Sequence, residues 1–103
     1  MLFAITLTYS RPKIDVEAHL DTHRTWLVDE MKAGRILAAG PLGSGLGGFV
    51  LAFADSQSEI DAMVERDPFV RNDVVTFDIQ PFQVALRSAN FPPEWAEGAK
   101  PIG

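Results

Sequence analysis

The chain has 103 residues, no cysteine, and 47% hydrophobic against 22% charged side chains. That composition specifies one globular domain and excludes wholesale disorder, coiled coil, disulfides and thiolate metal sites. Nine basic against fourteen acidic residues leave a net charge of -5, so with no Lys/Arg cluster to offset it the surface repels phosphate backbones and no nucleic acid is expected as a partner.

No apolar run approaches the ~20 residues a membrane span needs. The first residues lack the basic stretch of a secretory signal. The expectation is a soluble, cytoplasmic chain with no membrane partner, and the lack of cysteine fits a reducing compartment.

Phe3, Ile5 and Leu7 alternate with Ala4, Thr6 and Thr8, the period of a strand. From Asp15, a good N-cap residue, Val16, Leu20, Leu27 and Met31 fall on one helical stripe that Gly34 ends. Arg35–Ala39 reads as a short second strand closed by Gly40-Pro41. After a glycine-rich loop, the continuous apolar run Phe49–Ala54 fits a strand covered on both faces. Ser56 and Glu59 form a capping box for a second helix whose apolar face is Ile60, Met63 and Val64. Pro68 limits that helix to about Asp67. A last strand starts near Val74 with Val75, Phe77 and Ile79 on one side; at Pro81 the phase slips to Phe82, Val84 and Leu86, so the strand's end moves to a different neighbour. Residues 88–103 form a tail, with Trp95 pinning it to the body.

The order β-α-β-β-α-β is the ferredoxin-like arrangement, an α+β fold with a four-stranded antiparallel sheet and two helices on one face. The other face, assigned Ala4, Thr6, Val50, Ala52 and Thr76, is small and mildly apolar. Such a surface fits burial against a second copy, a homodimer with sheets opposed.

Candidate chemistry is sparse. His19 and His23 are the only histidines. On the stripe defined by Leu20, Leu27 and Met31, His23 lies about 50° from the centre at ~100° per residue, at the edge of the buried face. It is either a packing histidine or a proton carrier. Histidines four apart also suit a shared metal, but the Glu of H-E-x-x-H and a third ligand are missing. No metal and no cofactor are expected. Asp67, at the C-terminal end of the second helix, sits where the helix dipole disfavours a carboxylate. Either it makes turn hydrogen bonds to its own backbone, or it orients an imidazole, fixing the tautomer and stabilising the protonated ring. Gly43–Gly48 matches G-x-G-x-x-G, but it leads into a strand, whereas a dinucleotide loop opens a helix. It reads as a strand connection able to form a pocket lip, with Gly40, Pro41 and Ser44 as candidate pocket residues. Trp26 points away from the stripe, as a surface or interface aromatic would.

His23, then Gly34 and Arg35-Ile36-Leu37-Ala38-Ala39-Gly40-Pro41-Leu42, Asp67-Pro68-Phe69 and Gln80-Pro81-Phe82 together resemble the YciI-like (YCII-related) family. The resemblance spans roughly residues 1–86, giving residues 1–87 as the domain and 88–103 as a tail outside it. It implies a dimeric α/β barrel of ferredoxin-like subunits. It also implies small cofactor-free enzymes, among them a dehydrochlorinase of a chlorinated hydroxyhydroquinone with a His-Asp pair. Carried over, that pair is His23 and Asp67; His19 does not match. The loop 43–48 departs from the family by being short and glycine-dominated. The function expected is therefore a cofactor-independent lyase or isomerase moving a proton on a small aromatic or enolisable substrate. The alternative is a non-catalytic small-molecule-binding, assembly or regulatory dimer.

Overall fold

In the computed structural model, which describes residues 1–103, the chain runs β1 (Leu2–Tyr9), α1 (Lys13–Glu17), α2 (Leu20–Lys32), β2 (Ile36–Pro41), β3 (Gly47–Phe53), α3 (Gln57–Glu65), α4 (Pro68–Arg71), β4 (Val75–Phe82), β5 (Leu86–Ser88) and β6 (Lys100–Ile102). The four long strands form an antiparallel sheet in the order β2-β3-β1-β4. With the helices on one face, this is the ferredoxin-like α+β arrangement expected from the element order.

Directly opposed residues share a face, so the register settles what points where. Phe3 faces Ala52 and Pro81; Ile5 faces Val50 and Ile79. These residues line the helix side, where Phe3, Ile5, Leu7, Val50, Ala52, Ile60, Met63, Val64 and Phe69 form the buried core. The expectation that Val50 and Ala52 lie on the open face is therefore overturned. The open face of β3 carries Phe49, Leu51 and Phe53, all incompletely buried, because a continuous apolar run gives no period from which to choose the inward set.

The first helix also differs from its reading. It breaks at Ala18-His19 into α1 and α2, and Asp15 lies in the first turn of α1 instead of capping it; Pro12 holds the cap position. The buried residues of α2 are His23, Trp26 and Glu30, while Met31 is exposed. The inward stripe is thus rotated from the purely apolar one, since two of its members are polar and a hydropathy pattern does not count them. Trp26 is buried, contrary to expectation, and its Nε1–H donates to the Met63 carbonyl at 3.0 Å. Glu30 explains the rest of the rotation. Its carboxylate accepts from Arg35 Nε at 2.6 Å and from Arg66 Nη2 at 2.8 Å, tying the end of α2 to β2 and to the end of α3.

Two local signals act as written. Ser56 Oγ accepts from the Glu59 backbone N–H at 3.3 Å, and Gly34 closes the α2 end at φ 82°. The glycine-rich segment is the β2–β3 connection, and its rigid requirement is Gly47. A Cβ there would lie 1.8 Å from the Leu7 carbonyl oxygen, so β3 can approach β1 only without a side chain. Beyond Phe82 the chain leaves the sheet, and β5 pairs in parallel with β6. Ala96 is buried, and Trp95 shares a shallow hollow with Leu2 and Phe53.

Candidate active site

Between α2 and the sheet lies a cavity of about 410 Å³, in the size range of small-molecule sites. Leu20, His23, Arg24 and Leu27 of α2 form one side; Ala39, Gly40 and Pro41 of β2 and the start of β3 form the other. Gly40 and Pro41 thus line the cavity. Ser44 does not line it: its Oγ accepts from the Leu46 N–H at 3.2 Å on the exposed turn. That turn projects into solvent because the loop is a tight strand connection, too short to fold back.

His23 and Asp67 converge. Nδ1 of His23 lies 2.7 Å from Oδ1 of Asp67, with the two residues 8% and 1% exposed. An ionised carboxylate only accepts, so the ring's Nδ1 carries the proton and Nε2 is left as the basic nitrogen. No protein group hydrogen-bonds Nε2, and it is not among the sealed polar atoms. With His23 lining the cavity and Asp67 absent from its lining, the order is cavity, imidazole, carboxylate.

Asp67 holds its place through the chain that follows it. It is not at the unfavourable end of α3, which stops at Glu65; it caps α4, with Pro68 at the first helical position and Oδ1 accepting from the Phe69 N–H at 3.0 Å. Asp followed by Pro is a helix-start signature, and reading it would have found α4. At one oxygen, Asp67 bonds its own backbone two residues on and also bonds the imidazole. The helix dipole therefore does not disfavour this carboxylate as its sequence position suggests, since a capping carboxylate is favourable. Its second oxygen, Oδ2, is buried without a partner.

Phe69 acts twice. Its N–H anchors the carboxylate, and its ring stacks on the imidazole with centroids 3.8 Å apart and planes 8° from parallel. Trp26 flanks the same ring at 5.6 Å. An aromatic face carries negative potential and favours a cation against it, so this packing suits the protonated ring as well as the neutral one. Nothing in the hydropathy pattern distinguishes Phe69 from an ordinary core aromatic. One residue of α2, Glu30, has a perturbed acidity. Burial alone pushes its carboxyl upward, but hydrogen bonds and charge from Arg35 and Arg66 outweigh this and hold it below its ordinary value of 4.5.

No group of three or more His, Cys, Asp or Glu side chains converges as a metal site would require. His19 occupies the N-cap position of α2 and makes no side-chain cap bond. No helix is long and apolar enough to cross a membrane.

The model of the YCII-related domain matches residues 1–83. The chain belongs to the YCII-related family. No curated protein matches it in sequence. Among solved structures, this YCII-related chain is similar to the 5-chloro-2-hydroxyhydroquinone dehydrochlorinase of Burkholderia phenoliruptrix, in complex with 2,5-dihydroxybenzoquinone. The two are 27% identical, the match covers 82% of this chain and 95% of the other, and the TM-score is 0.67. That structural neighbour is a lyase-type enzyme with a small-molecule ligand. The segment after residue 83, including β5 and β6, lies outside the family match.

Proposed function

We propose that this protein is a cofactor-independent lyase- or isomerase-type enzyme that moves a proton on a small aromatic or enolisable substrate. The observation that carries the proposal is the 2.7 Å His23–Asp67 contact behind a cavity that His23 lines. Nε2 takes the substrate proton as a base and Asp67 stabilises the imidazolium that forms; the ring then gives the proton to another substrate atom in an isomerisation, or to the departing group or solvent in an elimination. Asp67 is a positioning residue in this scheme, because the imidazole stands between it and the cavity. Gly40 and Pro41 form the pocket lip. Ser44 has no part in it. The likeness to a dehydrochlorinase supports proton abstraction coupled to loss of a leaving group as the reaction class.

We also infer a homodimer joined through the open sheet face. Phe49, Leu51 and Phe53 on β3 and Phe82 on β4 leave apolar surface there, with Phe82 52% exposed, and an apolar sheet face is stable in water only when covered. A non-catalytic binding module is the second reading. The Phe69 N–H bond favours it, because it gives Asp67 a structural role without any chemistry.

The test is chloride release from 5-chloro-2-hydroxyhydroquinone, together with deuterium uptake from D₂O into enolisable and phenolic compounds. General acid–base groups contribute about 10²–10⁴ in rate. His23→Ala is expected to lose at least about 100-fold, and Asp67→Asn a comparable amount. Turnover unchanged in both variants overturns the mechanism. Binding without turnover or exchange in the wild type selects the non-catalytic reading.

A further inference from the structure

The cavity has three polar side chains among its apolar walls, those of Tyr9, His23 and Arg24. No carboxylate lines it. His23 is engaged at Nδ1 by Asp67, but Arg24 is engaged by nothing. Arg11, Arg35 and Arg66 each face a carboxylate, Arg87 donates to two backbone carbonyls, and Arg71, whose side chain is also unpaired, does not line the cavity. Arg24 makes no ion pair, although Asp21 lies one helical turn earlier and acidic residues outnumber basic ones fourteen to nine. An unpaired guanidinium is ordinary on a surface; Arg24 is exposed, but it also borders a cavity whose walls carry no carboxylate to neutralise it.

We propose that the cavity selects anionic single-ring ligands, as carboxylates or phenolates, and that Arg24 determines this specificity. The inference deepens the proposed function, and rests on it in taking this cavity as the substrate site. Three properties set the ligand class. An apolar cavity of ~150 Å³ already holds a benzene-sized molecule, so about 410 Å³ accommodates one substituted ring. The walls from Leu7, Leu27, Val50 and Phe69 favour an apolar, flat body. The guanidinium offers a planar donor fork that matches carboxylate geometry and accepts a phenolate through fewer bonds. The same charge also suits the chemistry. When Nε2 removes a proton from an enolisable or phenolic substrate, the electron pair left behind delocalises onto oxygen, and a nearby guanidinium stabilises that charge.

The experiment compares two probes of nearly equal shape, benzoate and benzamide, by calorimetric or NMR titration of the intact protein. Wild type is expected to bind benzoate about tenfold more tightly than benzamide, with the ratio falling as salt is raised. Arg24→Met keeps the aliphatic stem and removes the charge. It should bring the ratio to about one by weakening benzoate, leaving benzamide affinity unchanged as an internal check that the cavity is intact. Arg24→Lys should retain most of the preference. Equal binding of both probes by wild type, no binding of either, or an unchanged ratio in Arg24→Met overturns the inference. A charge preference that depends on Arg24 in a protein without turnover supports the inference while the proposed function fails, so the two are separable.

Discussion

Replacing Asp67 separates the geometry of the buried pair from its charge. Oδ1 accepts from two donors, His23 Nδ1–H at 2.7 Å and Phe69 N–H at 3.0 Å. Asp67→Ala orphans both in a site where the aspartate is 1% exposed. At about 1–3 kcal/mol for each buried group left unpaired, the loss is about 3 kcal/mol. For a domain of this size that corresponds to a fall in Tm of roughly 15 °C. Asp67→Asn keeps an acceptor oxygen in the same place and is an equally good cap. Its amide takes the position of the unpaired Oδ2, so one unsatisfied donor replaces one unsatisfied acceptor and the net change is within about 1 kcal/mol. Only the charge is lost, and with it the stabilisation of the imidazolium. Urea and thermal unfolding followed by circular dichroism, at one fixed chain concentration, measure both variants. Equal stability of Asp67→Ala and wild type would refute the bonding scheme. A collapse of Asp67→Asn to the level of the alanine variant would show that charge, and not shape, holds the pair.

Further outcomes follow from other parts of the molecule. Glu30 has a folded acidity below its ordinary 4.5, so its ion pairs stabilise the fold fully above 4.5, and that contribution is lost as pH falls from there through the lower folded value. Wild type should exceed Glu30→Gln in urea midpoint by about 1 kcal/mol equivalent at pH 7, and the gap should close below pH 4.5; a pH-independent gap contradicts the assignment. Gly47→Ala places a methyl group against the Leu7 carbonyl and is expected to destabilise by at least about 2 kcal/mol; unfolding indistinguishable from wild type would mean that β3 is not held so close to β1. For the proposed dimer, Leu51→Glu on the open face should convert a two-chain mass in solution scattering to a one-chain mass, with far-ultraviolet dichroism retained.

How far the sequence carries depends on whether a signal is local. Phe3, Ile5 and Leu7 alternate because one face of β1 is core. The Ser56–Glu59 box works because a cap is decided within four residues. Those elements, with their order, suffice for the fold. The inward face of α2 was not legible: His23 and Glu30 are buried because each meets a partner 44 or 36 residues away, and no pattern along the helix encodes that meeting. The same holds for Val50 and Ala52, whose side of the sheet is fixed by register with Ile5 and Phe3. The site was half visible. His23 and Asp67 could be singled out by residue type and by resemblance, but their contact is a tertiary fact. Arg24 carries no distinguishing signal in the sequence, because its significance lies in the cavity it borders.

The proposed chemistry needs an imidazole whose free nitrogen faces the hollow, and the proton's position on that ring can be observed. In a ¹⁵N-histidine sample, long-range proton–nitrogen correlation at a pH where the rings are neutral distinguishes the two tautomers. His23 should carry its proton on Nδ1, with Nε2 bare and shifting when benzoate enters the cavity, while His19 shows no such fixed preference. A proton found on Nε2, or a His23 spectrum indifferent to an occupied cavity, would contradict it.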